Sequence, residues 1–137
     1  MSNQKLVQEI VDEYLQLCED RELDKASHFL ASDAVIIFPG GRRYASLQEM
    51  AAASNGRYSW VRKLRNEYAV GQGVSADGKQ EQIVTSIGTL YGEKLDGAPF
   101  DGIRYVDVFM LREGLIVRQE VWNDLAESGI IQLSEGK

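Results

Sequence analysis

Residues 100–124, FDGIRYVDVFMLREGLIVRQEVWND, carry the strongest structural signal in the chain. Two runs of apolar residues flank the pair Glu113-Gly114, and this arrangement is typical of a β-hairpin with a two-residue turn. The first run contains a single carboxylate, Asp107, among apolar neighbours. Because burying a lone acid is costly, Asp107 is the first candidate for a functional residue.

Length and composition predict one domain over residues 1–137, with a core at about 3–125 and a loose tail after Ala126. The chain is 44% apolar and 26% charged, as in ordinary globular proteins. Its net charge of −6 argues against a nucleic-acid partner. Neither a signal peptide nor an apolar run of about 20 residues is evident, so we expect a cytoplasmic protein without a membrane partner.

The charge is unevenly distributed, since residues 40–65 hold six basic side chains against the single acid Glu49. The basic residues are Arg42, Arg43, Arg57, Arg62, Lys63 and Arg65. Such a cluster either attracts an anionic ligand or forms a solvated basic face. The sequence leaves both interpretations open.

Hydrophobic periodicity predicts an α+β fold with three helices before a run of strands. The helices are expected at 3–19, at 22–31 and from the capping sequence Ser46-Leu47-Gln48-Glu49 onward, with a possible extension towards Trp60. The strands are expected at 34–38, 64–74, 80–91, 102–112 and 115–124. The last four can form an antiparallel meander covered by helices on one face, with a bulge at Gly71 and Gly73.

The strand at 102–112 is apolar on both faces. The helices can cover only one of them, which leaves Val106, Val108 and Met110, with Trp122 on the next strand, on the outer face. A second copy of the chain is the simplest cover, so we expect a two-fold homodimer through this outer sheet face.

Common catalytic and cofactor motifs are missing from the sequence. It contains no phosphate-binding glycine loop, no His-Glu-x-x-His, no Cys-x-x-Cys and no Gly-x-Ser-x-Gly. His28 is the only histidine and Cys18 the only cysteine. We therefore expect no metal, no cofactor and no intrachain disulfide.

The order of elements resembles the nuclear transport factor 2-like superfamily, in particular its SnoaL-like and ketosteroid-isomerase-like branches. The resemblance spans about residues 3–125 and is carried by Tyr14-Leu15, Leu23-Asp24, residues 29–35, residues 107–109 and residues 114–117. It implies a cone-shaped, curved antiparallel sheet packed against three N-terminal helices, a cystatin-like roll with a deep apolar pocket. It also implies dimers that pack through the outer face of the sheet.

The ketosteroid isomerase pattern implies roles for two residues of this chain. Tyr14 falls on the tyrosine that donates to the substrate oxyanion, and Asp107 falls on the protonated aspartic acid of the same oxyanion hole. Phe38 stands where that family has its general-base aspartate. Because phenylalanine cannot carry a proton, the resemblance does not predict the same mechanism.

Two other branches of the superfamily also lack their catalytic residues here. The Asp-Arg-Asp set of limonene epoxide hydrolase falls near Ser86, Gly88 and Val121. The catalytic acid of SnoaL-type cyclases also falls on Val121, with Glu120 beside it on the opposite face. A shift of one residue in register would exchange Val121 and Glu120.

The resulting functional hypothesis is a SnoaL-like protein whose pocket binds a small, largely apolar carbonyl-type ligand. It could act as an isomerase, dehydratase or cyclase without the usual base, or as a non-catalytic ligand-binding or dimerisation module. Asp107 and Tyr14 are the candidate catalytic residues; alternatively, Asp107 belongs to a closed polar cluster with Tyr14, Gln119 or Asn123. The candidate ligand-binding residues are Phe38, Tyr58, Trp60, Ser86, Gly88, Gln119, Val121 and Asn123.

Overall fold

The structure, a computed structural model, describes residues 6–131 and consists of three helices and a six-stranded sheet. In chain order the elements are α1 (Val7–Glu19), α2 (Leu23–Ser27), β1 (Leu30–Phe38), a 3₁₀ turn (Pro39–Gly41), β2 (Arg42–Tyr44), α3 (Leu47–Ser54), β3 (Trp60–Val74), β4 (Gln80–Glu93), β5 (Pro99–Arg112) and β6 (Leu115–Asn123). The strands lie in the order β2-β1-β6-β5-β4-β3.

This architecture confirms the α+β prediction and corrects its details. The sheet is mixed rather than antiparallel, because β1 runs parallel to β6 while every other neighbouring pair is antiparallel. The short strand β2 was not predicted; it follows Gly40 and Gly41, whose positive φ values turn the chain back onto β1. Local alternation identifies a strand but contains no information about its neighbour in the sheet.

Helix α3 begins at the predicted cap but ends earlier than the longest prediction. The Ser46 hydroxyl accepts a hydrogen bond from the Glu49 amide at 3.1 Å. The Glu49 carboxylate accepts from the amide of Ala45, one residue before the position that a capping box would use. Asn55 and Gly56, the latter with φ +85°, then end the helix, so that Trp60 starts β3 instead of extending α3.

The hairpin of residues 100–124 forms as predicted. Glu113 and Gly114 both have positive φ, 53° and 80°, as a type I′ turn requires. Burial alternates along β5, with every second side chain from Ile103 to Leu111 buried on the concave face. Asp107 is therefore directed towards the helices, and Val106, Val108 and Met110 lie on the outer face, as expected.

Close backbone contacts bend β3 over β4. A β-carbon at Gly88 would lie 1.9 Å from the carbonyl oxygen of Leu64, and one at Gly92 would lie 2.1 Å from that of Trp60. Only glycine permits this approach. The bulge lies beside it, between Arg65 and Glu67, and the predicted bulge at Gly71 and Gly73 is wrong, because the strands stay in register there.

Two apolar clusters fill the concave side of the sheet. The larger joins α1 to β4, β5 and β6 through buried residues that include Val11, Leu15, Val84, Phe109 and Ile116. The smaller, at the other end, consists of Leu90, Ile103, Tyr105 and Leu125, with Ile130 and Ile131 packed against it. Ile130 and Ile131 belong to the tail that was expected to be loose, and the rest of that tail, residues 132–137, lies outside the described residues, as do residues 1–5. None of the helices within residues 6–131 is long and apolar enough to span a membrane.

The contact at Gly88 leads to a prediction about stability. In Gly88→Ala the new methyl group would overlap the Leu64 carbonyl, so we expect the free energy of unfolding to fall by about 2–3 kcal/mol in urea denaturation. The matched control is Gly71→Ala, since a β-carbon at Gly71 would meet nothing within 4 Å. We expect the control to change stability by less than about 0.5 kcal/mol; equal losses in both variants would contradict the packing argument.

Candidate functional site

A cavity of about 350 Å³ lies on the concave side of the sheet. Its walls include Leu15 of the larger apolar cluster and Leu90, Tyr105 and Leu125 of the smaller one. Seven of the sequence-predicted site residues line it: Tyr14, Phe38, Tyr58, Asp107, Gln119, Val121 and Asn123. A volume of this size is within the range of small-molecule sites.

Asp107 is the most unusual group in this cavity. Its side chain is fully buried, and neither carboxylate oxygen has a hydrogen-bond partner among the described residues. The nearest positive charge is the Lys63 ammonium, whose Nζ lies 3.7 Å from Oδ2, beyond normal hydrogen-bond distance. Burial raises the pKa of Asp107, and the charge of Lys63 opposes that rise. The closed polar cluster that the sequence allowed for Asp107 is not observed.

Lys63 is a site residue that the sequence analysis did not single out. It extends from β3, its side chain is 23% exposed, and its Nζ lies 5.4 Å from the centroid of the Tyr105 ring, in cation–π geometry. Burial disfavours the ammonium, but neighbouring groups, first among them the Asp107 carboxylate, outweigh that effect and raise the pKa of Lys63. Lys63 is therefore positively charged at neutral pH. Lys63 lies two residues after Val61, which also lines the cavity. Strand alternation could therefore have indicated that the Lys63 side chain faces the cavity.

Tyr14 reaches the cavity from α1, but its hydroxyl is engaged elsewhere. It donates a hydrogen bond to Oε1 of Gln119 at 2.7 Å, and the ring packs edge-on against Phe109 at 5.8 Å between centroids. Burial raises the pKa of Tyr14 well above its ordinary value, so the phenol stays neutral. The expected donor pair of Tyr14 and Asp107 is thus replaced by two separate pairs, Tyr14 with Gln119 and Lys63 with Asp107.

Three predicted ligand-binding residues lie away from the cavity wall. Trp60 is 39% exposed and its ring packs against Tyr91. Ser86 and Gly88 face the concave side, but they make room for Tyr105 rather than for a ligand. The Ser86 and Tyr105 hydroxyls lie 2.9 Å apart, and a β-carbon at Gly88 would lie 3.0 Å from the Tyr105 ring.

The register of β6 decides which residue faces Asp107. Val121 is the direct cross-strand partner of Asp107 and is 8% exposed, so it faces the cavity. Glu120 lies on the outer face, 3.0 Å from Arg118. The alternative register, with Glu120 inside, is therefore excluded, and β6 contributes amides rather than a carboxylate to the cavity wall.

Three arginines line the more solvent-exposed part of the cavity wall, its open end: Arg21 is exposed, and Arg42 and Arg57 are half-buried. Arg21 follows α1, Arg42 starts β2, and Arg57 follows α3. The thiol of Cys18 also lies on the wall; burial raises its pKa to about 11, although Lys63 opposes this, so it is not a reactive thiolate. Within residues 6–131, no group of three or more His, Cys, Asp or Glu side chains is placed to hold a metal ion.

This arrangement combines a proton acceptor with a positive charge inside a mostly apolar pocket. A carboxyl group whose pKa is raised by burial can accept a proton and return it. A neighbouring ammonium can stabilise negative charge on an oxygen atom, because the low-dielectric surroundings strengthen their attraction.

Comparison with solved structures defines the class of fold. The chain is similar to a nuclear transport factor 2-like protein of unknown function from Burkholderia pseudomallei, at 20% identity, with 97% of this chain and 100% of that chain covered and a TM-score of 0.74. It is also similar to TerC, co-crystallised with polyporic acid, at 18% identity, 93% and 98% coverage and a TM-score of 0.74. A third similar structure is assigned as a SnoaL-like polyketide cyclase from Shewanella putrefaciens, at 13% identity, 93% and 86% coverage and a TM-score of 0.64.

The protein therefore has the nuclear transport factor 2-like fold that the sequence predicted. No protein-family model matches the chain. No curated protein matches it by sequence. The function must therefore be inferred from the cavity itself.

The pairing of Lys63 with Asp107 predicts a pH-dependent stability effect. In Lys63→Met the buried carboxylate loses its counter-charge, so we expect the free energy of unfolding at pH 7 to fall by about 2–3 kcal/mol. The folded-state pKa of Asp107 already lies above its unfolded value, and removing Lys63 raises it further. Stability should thus decrease as the pH rises between the unfolded-state and folded-state pKa values of Asp107, and the loss should be smaller near pH 4.5, where a larger fraction of folded Asp107 is protonated than at pH 7.

Urea denaturation at the two pH values measures this effect. The control is the double variant Lys63→Met with Asp107→Asn, in which no buried charge remains and the additional pH dependence should disappear. If Lys63→Met loses the same free energy at both pH values, the pair contributes packing only.

Proposed function

We propose that the cavity binds a small, largely apolar carbonyl compound whose oxygen or adjacent C–H group meets Asp107 and Lys63. The observation that carries the proposal is the fully buried Asp107 carboxylate, which lines the cavity without a hydrogen-bond partner among the described residues. An unpartnered buried carboxylate is expensive in folding free energy. A ligand that supplies the missing hydrogen bond, or the proton, would offset that cost.

The same geometry supports proton transfer next to the carbonyl group. Asp107 would remove a proton from the carbon beside the carbonyl, and the C–H electron pair would form a carbon–carbon double bond as the carbonyl electrons move onto oxygen. The Lys63 ammonium would stabilise the resulting enolate. With a β,γ-unsaturated ketone, return of the proton from Asp107 to the γ-carbon would complete an isomerisation. With a β-hydroxy ketone, donation of that proton to the departing β-hydroxyl would release water and complete a dehydration. Asp107 would thereby replace the base that is missing at Phe38.

Similar structures agree with a pocket for apolar oxygenated compounds. TerC was crystallised with polyporic acid, and several similar chains are assigned as polyketide cyclases. Their identity to this chain is 20% or less, so they support the type of ligand and not the reaction.

A non-catalytic ligand-binding role is the second candidate. The observation in its favour is that Tyr14, the oxyanion donor in the ketosteroid-isomerase resemblance, donates its proton to Gln119. In this case the ligand would bind beside Asp107 without exchanging a proton.

Deuterium exchange distinguishes the two candidates. With 2-tetralone, a compact bicyclic ketone, we expect the protein to accelerate exchange of the protons beside the carbonyl in D₂O, as followed by proton NMR. Asp107→Asn should lower the exchange rate by about 100-fold or more, because the amide cannot accept the proton. Glu120→Gln, on the outer sheet face, should leave the rate unchanged. Binding without accelerated exchange would favour the non-catalytic role, and equal rates in wild type and Asp107→Asn would remove Asp107 from the mechanism.

We also propose that the protein forms a homodimer through the outer sheet face. This face carries the apolar side chains of Ile87, Val106, Val108 and Met110, and Trp122 beside them is 51% exposed. Since these residues lie on three adjacent strands, they form a continuous patch. A two-fold axis through it would bury the same patch of both copies.

Sedimentation velocity tests this association. One chain has a mass of 15.3 kDa, and the sedimenting species of the wild-type protein should have twice that mass. Val108→Asp places a charge in the centre of the patch and should produce monomers. Leu95→Asp is the matched control, because Leu95 is 61% exposed but lies in the loop between β4 and β5. A monomeric wild type, or equal dissociation of both variants, would contradict the proposal.

A further inference from the structure

Positive charge is concentrated at the open end of the cavity, although the chain carries a net charge of −6. Arg21, Arg42 and Arg57 reach the same cavity from three separate segments of the chain. Within residues 6–131, none of the three guanidinium groups forms a hydrogen bond or an ion pair with another side chain. Among the described residues, each guanidinium therefore keeps its five N–H donors available.

The lack of an acidic partner among residues 6–131 is unusual for an arginine of this protein. Five form ion pairs with acidic side chains: Arg62, Arg65, Arg104, Arg112 and Arg118. The other one without an ion pair among the described residues is Arg43, which is exposed and does not line the cavity. Three of the four arginines that lack an acidic partner in the described part of the chain thus converge on one site.

Arg21 is also held in a backbone conformation that favours glycine. Helix α1 ends in a Schellman motif, in which the amide of Glu22 donates to the carbonyl of Leu17 at 2.9 Å and the amide of Arg21 donates to that of Cys18 at 3.2 Å. Arg21 occupies the left-handed position of this motif with φ 59°. Glycine is the usual residue there because a β-carbon is strained, so arginine is retained at a cost in stability.

The acids on the cavity wall do not neutralise these arginines. Glu19 lies 2.7 Å from Arg65 and 3.7 Å from Arg62, both on β3. Asp107, fully buried, is paired with Lys63. The cavity thus passes from a buried acid paired with Lys63 to guanidinium groups that have no acidic partner within residues 6–131.

We infer that the ligand of this cavity is an anion, with an apolar carbonyl-bearing body beside Asp107 and a carboxylate or similar planar anionic group held by Arg21, Arg42 and Arg57. The inference rests on the proposed function and narrows its ligand class. Guanidinium groups bind carboxylates through paired, charge-assisted hydrogen bonds. Their placement at the open end keeps the anionic group partly solvated, which avoids the cost of burying its charge.

Two probes of nearly equal shape test the inference by isothermal titration calorimetry. The first is 2-naphthoate and the second is its neutral amide, 2-naphthamide. We expect the wild-type protein to bind the carboxylate about tenfold more tightly than the amide, with the preference decreasing as salt is raised from about 0.05 to 0.3 M. The amide reports on the apolar pocket independently of the charge.

Matched variants identify the arginines responsible. Arg42→Gln and Arg57→Gln should each reduce the preference for the carboxylate several-fold, because carboxylate binding weakens much more than amide binding. Arg43→Gln, one residue from Arg42, should leave the preference intact. Arg21→Gly should reduce it while the melting temperature stays the same or rises, because glycine relieves the positive-φ strain.

The inference is overturned if the amide binds as tightly as the carboxylate, because the pocket then accepts apolar carbonyl compounds without selecting an anion. It is also overturned if Arg43→Gln reduces the preference as much as Arg42→Gln, which would indicate attraction by overall surface charge. If neither probe binds, both the inference and the proposed ligand class fail.

Discussion

The close approach of the Leu64 carbonyl to Gly88 is the constraint on which the site depends. It brings the backbone of β3 unusually close to β4 at this point, and the bulge between Arg65 and Glu67 lies directly beside it. A flat sheet would have no concave face for the helices to cover, and no cavity would form between them. Because β3 bends inward, Lys63 reaches the buried carboxylate on β5, two strands away in the sheet.

The Lys63–Asp107 pair is a poor means of stabilising the fold. Desolvation of the two charges opposes folding, and the separation of 3.7 Å recovers only part of their attraction. A pair of well-packed apolar side chains would serve the core better. Carboxylates that are buried without hydrogen bonds tend to lie in functional sites, where the stored cost becomes available when a ligand binds. This reasoning makes the pair the centre of the proposed chemistry.

The distribution of charge separates the surface from the cavity. The chain is acidic overall, yet Asp12 and Glu19 of α1 are engaged with Arg65 of β3, and Glu81 of β4 is engaged with Arg112 of β5. The arginines at the open end have no such partners among residues 6–131. Long-range repulsion from a net charge of −6 is screened beyond about 8 Å in physiological salt, so we infer that the local positive charge determines which ligands enter.

Local patterns in the sequence determined the fold class, the β5–β6 hairpin and the burial of Asp107. They succeeded because strand alternation and turn chemistry act over a few residues. The tertiary structure alone decided that β1 pairs with β6 in parallel, that Tyr105 fills the space over Ser86 and Gly88, and that Tyr14 bonds Gln119 while Lys63 faces Asp107. These contacts join residues far apart in the chain, and their geometry follows from the bend of the sheet, which no local pattern encodes.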